Sequence, residues 1–290
     1  MVMHLKEVNS GILTDLYLRA YNDGVGIHYG FPAQKGLDSI VLASEKTQFS
    51  FKKDYPVWRA DYQNYKSPQE QEFLNAKLSD IKKEQLIGMP LLVKTNKAYA
   101  IITEADLTDW SGAFLRADVT KNTMVTDLAP FPDDSGIVVK RVTPAVSPWR
   151  VIMIAKEPSG LIESDLIANL NDPVAFDDTS WIKPGASTWD WWWSNKYAPG
   201  ADFQLGPDQE TMKYFIDFAS EMGWKYQIVD WQWYGEPFKD FSINSDANPN
   251  ADITTCNDNI NIEELVKYAH SKNVNIILWL HWESIKKPNG

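Results

Sequence analysis

Apolar and polar positions alternate at two different periods along this chain. Over residues 12–150 the period is two, carried in short runs. Leu16-Tyr-Leu-Arg-Ala-Tyr21 leads through Asn22-Asp-Gly24 into Val25-Gly-Ile-His-Tyr29. Two extended runs around Asp-Gly predict a β-hairpin, because a type I′ turn needs positive φ at both central residues. Further strands are predicted over 39–42, 48–52, 91–94, 98–103, 136–142 and 149–155. Strands this short, divided by turn residues, predict a β-sandwich. One helical interruption is predicted over 69–81, and no internal repeat is visible.

Beyond residue 200 the period lengthens. Met212, Phe215, Ile216, Ala219 and Met222 recur at helical spacing, and Gly223 is a suitable stop. Lys225-Tyr-Gln-Ile-Val-Asp230 follows as a short apolar run closed by an acid. The pair recurs. Ile262, Leu265, Val266 and Ala269 mark a second helix, and Val274-Asn-Ile-Ile-Leu-Trp-Leu280 a buried strand. With 188–193 before them the order is β-α-β-α-β, which demands a parallel sheet. Asn171-Asp-Pro173 and Lys183-Pro-Gly185 punctuate a linker, giving expected domains over 1–170 and 171–290. In parallel α/β folds the site lies at the carboxyl ends of the strands. The three ends here carry Trp191-Trp-Trp193, Asp230-Trp231 and His281-Trp-Glu283. They fit a barrel mouth that binds sugar, since C–H faces stack on indoles while hydroxyls need carboxylates and imidazoles. Closing such a barrel takes eight strands, and the pattern supplies three.

Composition narrows the classes. The chain has 290 residues, 44% hydrophobic and 23% charged, the balance of a globular protein rather than a disordered tail. Cys256 is the only cysteine, which excludes a disulfide scaffold. No apolar run approaches the roughly 20 residues of a bilayer span. The opening MVMHLKEVNS lacks the regions of a signal peptide. A net charge of −11 with no basic run argues against nucleic acid as a partner. Of 13 Trp, ten lie at or after Trp181, so the aromatic weight sits in the second half. There is no GxSxG elbow, P-loop or GxGxxG, and four scattered His leave no zinc spacing. The acid- and amide-rich run over 244–252 lacks EF-hand spacing and reads as a loop.

Several segments then resemble one family. They are Trp181-Ile-Lys-Pro-Gly185, Trp189-Asp-Trp-Trp-Trp193, Tyr214-Phe-Ile-Asp-Phe-Ala219 and Gly223-Trp-Lys-Tyr-Gln-Ile-Val-Asp230. Upstream stand Arg19-Ala-Tyr-Asn-Asp-Gly24, Ile101-Ile-Thr-Glu-Ala-Asp-Leu107, Ser147-Pro-Trp-Arg150 and Leu161-Ile-Glu-Ser164. In this order they resemble glycoside hydrolase family 97, which holds α-glucosidases and α-galactosidases. The resemblance runs from about Leu16 to Glu283. It implies a partial, supersandwich-like β-sandwich, followed by the first three β/α units of a (β/α)8 TIM barrel. On that plan the chain is a fragment or truncated gene product, cut at both ends and inactive alone. The family is exported, so the resemblance implies a periplasmic or secreted protein whose leader is not in this chain.

Glycoside hydrolysis needs two carboxyls, about 5–5.5 Å apart for retention or about 6.5–9.5 Å for inversion. The resemblance places the general acid beyond residue 290 and makes Glu283 the catalytic candidate, by likeness to a strand-three glutamate base of inverting members. Trp279-Leu-His-Trp282 looks more like the retaining branch, where position 283 need not be a carboxylate. The bland reading of Glu283 is a loop-capping acid. Asp230 is a sugar-hydroxyl acceptor or a cap. His281 is a sugar contact rather than a base, and His270 a surface residue. Trp193 and Trp191 are stacking candidates, Trp192 packs outward, and Trp231 with Trp233 forms part of the rim; each is otherwise core. The family binds calcium, which implies Glu70 as the ligand from the sandwich, with Glu72 its neighbour and Glu104 a third. The bland reading of all three is a solvated face. The expected partner is an oligosaccharide. The alternatives are a non-catalytic carbohydrate-binding protein with a Trp-rich site, and a degenerate product aggregating through an open edge strand.

Overall fold

The computed structural model describes residues 1–67, 69–191, 196–197, 200, 202–239 and 247–286, leaving out the side chain of Trp231. The chain falls into two compact units, Met1–Ala175 and Phe176–Gly290.

The first unit is built from antiparallel sheets. Its largest runs β1 (Val2–Lys6), β2 (Leu13–Tyr21), β3 (Gly24–Phe31), β16 (Trp149–Ala155), β11 (Tyr99–Ala105), β10 (Leu91–Lys94), β6 (Pro56–Arg59), β8 (Leu74–Lys77), with β15 (Ala145–Val146) also on β3. The second runs β5 (Gln48–Ser50), β13 (Thr123–Leu128), β12 (Ala113–Ala117), β9 (Leu86–Ile87), β7 (Asp61–Tyr62). A two-stranded ribbon joins β4 (Ser39–Leu42) to β14 (Val139–Val142). Val57, Val93 and Ile102 from the large sheet share a core with Phe49, Ile87, Leu115 and Met124 from the second, which makes the pair a sandwich. Alternation along β16 serves both faces. Ile152 points to that core, while Trp149, Val151 and Met153 pack under Leu161 of α1 (Pro158–Ile162) and Leu166 and Leu170 of α2 (Leu166–Leu170).

Two expectations change. The helix predicted over 69–81 is absent: its middle forms β8, paired on β6 through Arg59↔Leu74, and Leu78–Asp80 makes a 3-10 turn that buries Leu78. Backbone pairing at the sheet edge outweighs a helical pattern of modest propensity. The predicted hairpin forms, but Tyr21↔Gly24 close it, so Asn22 and Asp23 are its central residues. Neither takes positive φ, so the turn is not the expected type I′ at Asp-Gly. Gly24 itself is extended, and packing explains it: a Cβ there would fall on the Ile152 carbonyl oxygen. The sequence pattern also missed β1 and both helices of 158–170.

The second unit is a parallel three-stranded sheet, β17 (Ser187–Trp189), β18 (Tyr226–Val229) and β19 (Asn275–Leu278), in sequence order. Between the strands run α3 (Gln209–Glu221) and α4 (Ile262–Ser271). Each helix begins on a side-chain cap, Asp208 accepting from Thr211 N–H at 2.8 Å and Asn261 from Glu264 N–H at 3.0 Å. Gly223, at φ +68°, follows α3 in the left-handed conformation that ends helices. Met212, Ile216 and Ala219 of α3, Leu265 and Ala269 of α4, and Val229 of β18 form one core. On the sheet face turned away from α3 and α4, Trp189 is 37% and Ile277 43% exposed.

Candidate active site at the strand ends

Strand register sets the geometry. Trp189 pairs with Ile228, so Asp190 and Asp230 lie one and two residues past a shared level on adjacent strands. The Trp189 indole N–H donates to Asp230 Oδ2 at 2.7 Å. Asp190 Oδ1 accepts from the Asp230 main-chain N–H at 3.3 Å. Both carboxyls are buried, Asp190 to 5% exposure and Asp230 to 8%. Burial pushes the Asp190 carboxyl up to about 6, with the Asp230 charge adding to the rise and backbone N–H bonds opposing it.

The segment after β18 is tied to the end of β19. Trp231–Tyr234 forms a 3-10 turn, whose Trp233 Nε1–H donates to the Trp279 carbonyl at 2.8 Å. Tyr234 Oη accepts from His281 N–H at 3.0 Å. His281 then caps α5 (Trp282–Ile285): its Nδ1 accepts from Glu283 N–H at 3.3 Å. Its ring packs edge-on against Phe238 at 5.1 Å.

The structure therefore sorts the predicted residues. Asp230 stands at the end of β18, bonded to the strand before it. His281 follows β19, and Glu283 lies in the first turn of α5 rather than on the strand. Trp191 is exposed just past Asp190. Trp192, Trp193 and the Trp231 side chain lie outside the described residues. Trp233 is core, not rim, because its ring is spent on the loop tie. His270 is exposed on α4. In the first unit Glu70 and Glu72 are exposed on the segment before β8. Glu104 is bound to Arg150 at 2.7 Å, not solvated. No group of three or more His, Cys, Asp or Glu placed to hold a metal occurs among the described residues. Sequence reasoning missed Asp190 and the Trp189 indole; the available signal was a lone acid inside a run of tryptophans.

The chain thus joins a β-sandwich unit to a parallel β/α unit whose strand ends carry buried acids, the place where sites of such sheets lie. Residues 1–173 match the glycosyl-hydrolase 97 N-terminal domain and residues 191–289 match glycoside hydrolase 97. The chain belongs to glycoside hydrolase family 97. It is 30% identical over 295 aligned residues to a retaining alpha-galactosidase of Bacteroides thetaiotaomicron, covering 93% of this chain and 42% of that protein. It is 28% identical to a probable retaining alpha-galactosidase of Streptomyces bingchenggensis, covering 94% of this chain and 38% of the relative. A family 97 enzyme from Pseudoalteromonas sp. strain K8, solved with acarbose, superposes with a TM-score of 0.73 at 26% identity. That match covers 95% of this chain and 40% of the enzyme. The chain spans about two fifths of the length of these relatives.

Proposed function

We propose that this chain supplies the sandwich and the first three β/α units of the catalytic barrel in a glycoside hydrolase acting on terminal α-linked galactose or glucose. One observation carries the reading: in a family 97 chain, adjacent parallel strand ends join two buried aspartates, the Trp189 indole donating to the Asp230 carboxylate and the Asp190 carboxyl accepting from the Asp230 main-chain N–H. Two further observations support it. The two relatives described above carry alpha-galactosidase names. The sheet face turned away from α3 and α4 holds partly exposed Trp189 and Ile277, as the inward face of an unclosed barrel would.

In this reading Asp230 accepts a sugar hydroxyl, Trp191, Trp193 and Trp231 offer flat faces, and His281 contacts the same ligand. Glu283 is the carboxyl of this stretch assigned to proton transfer or water activation, while its partner carboxyl comes from another strand. Calcium enters only through Glu70. Glu70 lies in no group of three or more metal-ligating side chains among the described residues, so in this reading calcium would draw its remaining oxygen ligands from elsewhere in the whole protein.

The test is hydrolysis of 4-nitrophenyl α-D-galactopyranoside and its glucoside. The 290 residues alone give no turnover, because three strands leave the barrel open and one of the two carboxyls unsupplied. A chain carrying eight strands cleaves one of the two substrates. Turnover by the 290 residues overturns the expected inactivity. Saturable sugar binding without hydrolysis by the eight-strand chain overturns the hydrolase reading and favours a binding protein.

A further inference from the structure

Trp189 and Asp190 are consecutive residues, yet both bond to one residue of the neighbouring strand. The indole N–H holds the Asp230 carboxylate at 2.7 Å, and the Asp190 carboxyl takes the Asp230 main-chain N–H at 3.3 Å. Successive side chains of an extended segment point to opposite faces. The two contacts therefore grip Asp230 at different points, one fixing its side chain and the other its backbone. Two buried carboxyls on neighbouring strands repel one another and lose hydration, which costs stability. Packing gives no reason to keep them, since apolar residues of similar volume fill such positions without that cost. Groups that must be held in a fixed orientation for a ligand do give a reason.

We infer that Trp189 and Asp190 are positioning residues, which set the side chain and main chain of Asp230 so that its carboxylate receives a hydroxyl of a terminal α-linked sugar. The inference rests on the sugar-site reading above and adds the two residues that orient its acceptor. Trp189 Nε1 supplies the reporter, because whatever binds the Asp230 carboxylate perturbs the N–H that donates to it.

The experiment follows the indole N–H resonances of the ¹⁵N-labelled 290-residue chain during titration with methyl α-D-galactopyranoside. The Trp189 resonance, assigned by its disappearance in W189F, shifts with sugar. D230N loses the shift. D190N retains it, because the amide oxygen still accepts from the Asp230 N–H, whereas D190A loses it. A purely structural role for Asp190 would lower the melting temperature of D190A and leave its sugar-induced shift in place, which overturns the inference. If D190A does not fold, retention in D190N together with loss in D230N supports it, and a shift persisting in D230N overturns it. A Trp189 resonance that stays still while other indoles move overturns this inference and leaves the sugar site standing. Stillness of every indole overturns this inference, while the hydrolase reading is decided by the eight-strand chain.

Discussion

Arg150 has no exposed side-chain surface, and each of its three guanidinium nitrogens donates to a carboxylate. Nε and Nη2 donate to the two Glu45 oxygens and Nη1 to Glu104 Oε2, each at 2.7 Å. Glu104 sits directly opposite Arg150 in the β11–β16 register. Burial raises the Glu104 carboxyl, and the Arg150 charge beside it pulls the other way. A buried triad of this kind is costly to break, because removing one member leaves the others charged and unpaired. Arg150→Met should therefore destabilise the first unit by about 3–5 kcal/mol. Arg150→Lys should also lose stability, since an ammonium does not reproduce the bidentate fork. Urea denaturation of both variants measures this; a loss below about 1 kcal/mol for R150M would mean the triad is not held as described. The sequence placed Arg150 in a strand, but an arginine alternating with Trp149 and Val151 reads as an outward polar position. Its burial depends on Glu45, more than a hundred residues away, which no local pattern reveals. Asp190 escaped notice for a related reason: its partner is on another strand.

At the scale of elements, the legible parts were those where one face is buried and the period is regular. The strands β4, β10 and β16 fall where alternation placed them, and α3 and α4 where the helical spacing did. Edge pairing was illegible, which is why β8 read as helix and β1 was missed. Caps are local, and they yield a prediction. Asp208 caps α3 and Asn261 caps α4, so replacing either by Ala should cost about 1 kcal/mol. The two losses should not add. Gln209 N–H donates to the Asn259 carbonyl at 2.9 Å, and Gln209 Oε1 accepts from Asn261 N–H at 2.8 Å, locking the two helix starts together. A double-mutant cycle of D208A and N261A should show a coupling of at least about 0.5 kcal/mol. Additive losses would mean the two starts behave as independent caps.

Over the whole molecule, the two units carry buried groups that respond to acid in opposite directions. In the first unit His28 stacks on Trp149 at 3.8 Å and meets Tyr17 edge-on at 4.7 Å. Burial lowers its pKa from 6.5 to about 4. The fold holds the imidazole neutral, so its contribution is intact above about 6.5 and is lost as the unfolded chain takes up the proton toward pH 4. In the second unit Asp190 is raised from 3.8 to about 6, so its contribution is intact below 3.8 and is lost as pH rises through about 6. Each slope is at most about 1.4 kcal/mol per pH unit. Between pH 4 and 6 the His28 term strengthens the first unit with rising pH, while the Asp190 term weakens the second. Glu104, raised by burial, opposes His28 within the first unit, so each term is read as a difference from a variant. Hydrogen exchange at pH 4.5 and 6 gives the stability of each unit separately. Relative to wild type, H28F should gain in the first unit at the lower pH, and D190N should gain in the second at the higher. A uniform response of both units to either substitution would show that they unfold as one body, and that neither group acts on its own unit alone.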